Sequence, residues 1–133
     1  MRTLHVVRSS NSEPAWQGWI DALSFSRFRV REIEPARIER LAEEVEPTDA
    51  VLMDGLMPHL ADRIAELHGK RPWLVIIVAT ENPSFAVYYE VLVQTGQVFY
   101  ISESASPASF VSTVEEIVEA ERSRGKDLLP RWV

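Results

Sequence analysis

The chain has 133 residues, 46% apolar and 26% charged, with a formal net charge of −6 and no cysteine. This composition suits one soluble globular domain with a single core, and it excludes disordered, fibrous and disulfide-framed proteins. No apolar run could span a bilayer, no signal-peptide core follows Met1-Arg2-Thr3, and the acidic balance argues against nonspecific nucleic-acid binding. The expectation is therefore a cytoplasmic domain, residues 1–121, with no membrane or nucleic-acid partner and a C-terminal tail or linker stump at 122–133.

Leu4–Val7 is the first apolar strand pattern, and it runs into Arg8-Ser9-Ser10. Ser12 and Pro14 then announce a helix whose Trp16, Trp19, Ile20 and Leu23 recur at i, i+3, i+4 and i+7. Phe28–Ile33 reads as a strand with alternating arginines, Arg27, Arg29 and Arg31, which mark a partly exposed face. Pro35 opens a second helix carrying Ile38, Leu41, Ala42 and Val45. Ala50–Met53 is a continuous apolar run that ends on Asp54-Gly55-Leu56-Met57-Pro58. A third helix follows with Leu60, Ala61, Ile64 and Leu67, and Gly69 is placed as its C′ residue. Leu74–Ala79 is a second continuous apolar strand, followed by Thr80. Asn82 and Pro83 begin a fourth helix, Val98–Ile101 forms a fifth strand, and Ser106-Pro107 caps a fifth helix with Phe110, Val114, Ile117 and Val118.

Five strands alternating with five helices make βα units. They predict an α/β fold with a mainly parallel sheet covered on both faces. Ligands of such sheets bind outside the carboxyl ends of the strands. The residues collected there are Arg8 and Ser9, Asp54, Thr80 and Glu103.

Here the chain resembles the receiver domains of response regulators, the CheY-like family. Val51-Leu52-Met53-Asp54-Gly55-Leu56-Met57-Pro58 is similar to their phosphoacceptor strand and turn. Thr80 matches their switch hydroxyl, and Tyr100-Ile101-Ser102-Glu103-Ser104-Ala105-Ser106-Pro107 resembles the aromatic-x-x-Lys-Pro stretch before their last helix. The likeness runs from about residue 3 to residue 121. It implies a flavodoxin-like, doubly wound five-stranded sheet of order 2-1-3-4-5 with five flanking helices. It also implies phosphoacceptor chemistry at Asp54, a Mg²⁺-ligating carbonyl at Leu56, and a switch pair, Thr80 and Tyr100.

The departures fall on the chemistry. The resemblance puts two acids that help hold Mg²⁺ at Arg8 and Ser9, a phosphate-pairing lysine at Glu103, and a proline at Ser104. Magnesium takes hard oxygen ligands, and a guanidinium repels it. A unit-charge pair about 4 Å apart is worth roughly 4 kcal/mol at an effective dielectric near 20. A millimolar site holds only about 4 kcal/mol in total. The expectation is no bound Mg²⁺ and no other cofactor or metal, with Arg8 paired to Asp54, Glu103 or both.

The segment Phe85–Val93 is apolar almost all round, unlike an ordinary surface helix. Tyr88, Tyr89, Leu92 and Val93 are its candidate interface residues, with a protein partner or a second copy as occupant. His5, His59 and His68 are too dispersed for a ligand set, and no dinucleotide, P-loop or hydrolase motif occurs. The leading reading is a non-enzymatic, phosphorylation-independent signalling domain acting by protein contact or dimerisation. The alternative is a two-component phosphoacceptor with Asp54 phosphorylated. A third reading, a small α/β enzyme or ligand-binding domain, requires an open crevice around Asp54 and Thr80.

Overall fold

The computed structural model describes residues 2–8, 15–55, 57, 59–80, 98–102 and 106–132, with backbone only at 15, 80, 100, 102 and 121–132. Its strands are β1 (Thr3–Val7), β2 (Arg29–Ile33), β3 (Ala50–Asp54), β4 (Val75–Thr80) and β5 (Val98–Ser102). Its helices are α1 (Ala15–Leu23), α2 (Ile38–Glu44), α3 (Leu60–Lys70) and α4 (Pro107–Trp132), with a 3-10 turn at Pro35–Arg37. The fourth helix expected from the sequence, which includes Tyr88, Tyr89, Leu92 and Val93, lies outside the described residues. The last helix is therefore α4.

All strand pairs are parallel, in the order β2-β1-β3-β4-β5. Burial explains that order. All five residues of β3 are buried, and Val75 to Ala79 of β4 are buried as well. Continuous apolar runs suit central strands covered on both faces. β2, with Arg29, Arg31 and Glu32 exposed, takes an edge, where charged side chains discourage pairing with another chain.

Strand alternation divides the core between the two faces. Leu4, Val6, Ala50 and Leu52 point to α1 and α4, where they meet Trp16 and Phe110. Val7, Val51 and Met53 point to α2 and α3, against Leu41 and Ile64. Trp16 and Trp19 are wholly core, as their spacing predicts. Trp19 stacks on Phe110 with ring centroids 4.4 Å apart and planes 3° from parallel, so α1 and α4 share an aromatic seam.

Helix ends follow local chemistry. Ser106 caps α4: its Oγ accepts from the Ser109 N–H at 3.2 Å. Pro35 opens the 3-10 turn that leads into α2. Gly69, however, is not C′ of α3. The helix passes through it to Lys70 and is capped by Arg71 at φ −136°. Pro72 supplies the stop, because a residue before proline is driven out of the α region. Residues 122–132, expected as a tail, continue α4 as helix. At 1.5 Å per residue its 26 residues extend about 39 Å. Gly125 costs only about 1 kcal/mol against alanine, too little to end an established helix.

Candidate functional site at the carboxyl ends of the strands

The strand order reverses between β1 and β3, and α/β sheets open a crevice at such a switch point. β1 pairs with β3 through Val7↔Met53, so one step further brings Arg8 level with Asp54. β3 pairs with β4 through Asp54↔Ala79, which sets Thr80 beside the same level, and Thr80 pairs with Ser102 of β5. With neighbouring strands about 4.8 Å apart, Arg8, Asp54 and Thr80 mark three adjacent backbone positions along one sheet edge. Tyr100 pairs with Val78, two residues before that edge. Ser9, Leu56, Glu103 and Ser104 lie outside the described residues.

Asp54 is the last residue of β3 and is fully buried, at 0% exposure. The chain turns immediately after it. Gly55 N–H extends the ladder to the Ala79 carbonyl at 3.0 Å, and Met57 N–H closes a turn on the Asp54 carbonyl at 3.0 Å. Met57 is buried, which anchors the turn in the core on the α2 and α3 side. His59 then adopts φ 58°, a left-handed conformation uncommon outside glycine, just before α3. Strain of this kind is found beside functional sites, and here it lies five residues beyond Asp54.

Arg8 is half-buried directly after β1. Its Nη1 donates to Gln17 Oε1 of α1 at 3.1 Å, and Gln17 Nε2 donates to Asp21 Oδ1 at 2.9 Å. Arg8 and Asp54 each have further interactions besides these.

A second polar cluster lies at the opposite, amino end of the sheet. Asp49, immediately before β3, is 8% exposed. Its Oδ1 accepts from Thr3 N–H at 3.2 Å, and its Oδ2 accepts from Glu46 N–H at 3.0 Å and from His5 Nε2 at 2.9 Å. A carboxylate only accepts, so the His5 proton in this bond sits on Nε2. His5 Nδ1 is buried without a hydrogen-bond partner. Sequence reasoning dismissed His5 as a metal ligand and missed its pairing with Asp49. The signal was an aspartate next to an apolar strand and a histidine within another, both polar groups that burial forces into a hydrogen bond. His68 is similar: it is buried on α3, with its Nε2 3.1 Å from the Leu74 carbonyl.

Among the described residues, no three His, Asp or Glu side chains come together as a cation site, and no helix is long and apolar enough to cross a membrane. A small cavity lies between α2 and α3, about 10 Å³ in volume and lined by Ile38, Ala42, Arg63 and Leu67 among others. It has room for about one water molecule.

No protein-family model matches the chain, and no curated protein matches its sequence. Solved structures match its fold. The signal receiver domain of an HD domain-containing protein from Pseudomonas fluorescens Pf-5 superposes with a TM-score of 0.72 at 17% identity, covering 94% of this chain and 93% of that one. A CheY-like response regulator receiver domain protein from Methanospirillum hungatei JF-1 gives 0.69 at 16% identity, covering 93% and 99%. A structure described as adenylate cyclase from Rhodopirellula baltica gives 0.73 at 15% identity, covering 98% of both chains. The five-stranded parallel sheet of order 2-1-3-4-5 is thus the CheY-like, flavodoxin-like fold expected from the sequence.

Proposed function

We propose that this chain is an atypical member of the receiver family: a signalling domain that acts by protein contact, without aspartyl phosphorylation and without catalysing a reaction of its own. One observation carries the reading. The β1 end that lies level with the buried Asp54 presents Arg8, a cation, where receiver chemistry uses an acid. A divalent ion next to Asp54 would face a repulsion from Arg8 similar in size to the attraction an acid would supply. That is several kcal/mol at an effective dielectric near 20, against about 4 kcal/mol in a millimolar site. Arg8 supplies fixed positive charge at the strand ends but no open coordination position for a phosphoryl group. Glu103, in place of the lysine, adds repulsion against that group. Asp54 then serves as a structural anion at the strand ends, beside the level of Arg8.

The proposed partner is a protein, with the apolar segment carrying Tyr88, Tyr89, Leu92 and Val93 as the contact and a second copy of the chain as one occupant. An apolar stretch of this kind, if left uncovered, is a usual mark of an interface. A cytoplasmic site of action is part of the same proposal, on the strength of the receiver-like fold.

The decisive experiment incubates the protein with a small-molecule phosphodonor and Mg²⁺ and weighs the intact chain. The expected result is an unchanged mass. A stoichiometric phosphate adduct that disappears in Asp54→Asn would establish the phosphoacceptor reading instead.

A further inference from the structure

We draw no further inference here: the strongest candidate, the surface at the amino end of the sheet where the α1–β2 and α3–β4 turns expose Phe25 and Trp73, carries none, because the nearby cations Arg27 and Lys70 are paired with Glu115 and Glu66 and nothing in the structure shows what covers it.

Discussion

Two buried aspartates bracket β3, and the fold treats them differently. Asp49, before the strand, is enclosed by three donors: the Thr3 and Glu46 backbones and the His5 ring. It ties β1, β3 and the turn between α2 and β3 into one knot. Asp54, the last residue of the strand, sits at the switch point of the sheet, one step beyond the Val7↔Met53 pair, where β1 gives way to Arg8, which donates to Gln17 of α1. Burial alone does not separate them, at 8% and 0% exposure. Position does: the amino end of a parallel sheet is closed by short turns, whereas the carboxyl end is where such sheets meet ligands and partners.

Substitutions at the two ends should therefore have different readouts. Asp49→Ala should have the largest effect. It leaves two backbone N–H groups and the His5 N–H without an acceptor, at a cost on the order of 3 kcal/mol of stability. Urea denaturation should register this as a lower midpoint with an unchanged slope. His5→Leu removes one of the three donors from the same carboxylate and should cost about 2 kcal/mol, the scale of a hydrogen bond to a charged group. A midpoint equal to that of the original chain in either variant would show that the knot is not structural.

The carboxyl end should respond in ion binding instead. Arg8→Asp, Ser9→Asp and Glu103→Lys together rebuild the acidic pair and the lysine. This triple variant should bind Mg²⁺ at least tenfold more tightly than the original chain, about 1.4 kcal/mol, as read by Mn²⁺ broadening of resonances near Asp54. Equal affinity in the two proteins would overturn the proposal that Arg8 disfavours Mg²⁺. The smallest change in stability should come from Gln17→Leu, within about 0.5 kcal/mol because the position is exposed. A large loss of stability would place Gln17 with the structural end of the molecule.

The two ends also differed in how legible they were. The carboxyl end could be read from local patterns, since an apolar run stopping on Asp54 and another stopping on Thr80 already mark strand ends. The amino-end knot could not. His5 and Asp49 are 44 positions apart, and only the parallel register of β1 on β3 brings them to 2.9 Å. Arg8 lies between these cases: its place after β1 was plain, but its bond to Gln17 depends on how α1 returns across the sheet. Gly69 shows a conflict between local signals, where a glycine suggested the end of α3 and Pro72, three residues later, set it.

What the sequence by itself determined was periodicity and punctuation. Spacings of 3–4 and continuous apolar runs specify which residues are helical, which are strand, and which strands lie deepest, because burial of apolar surface drives each choice locally. Tertiary structure decided which polar groups meet. Hydrogen bonds and ion pairs act over a few ångströms, and those distances exist only once the strands are in register and the helices are docked.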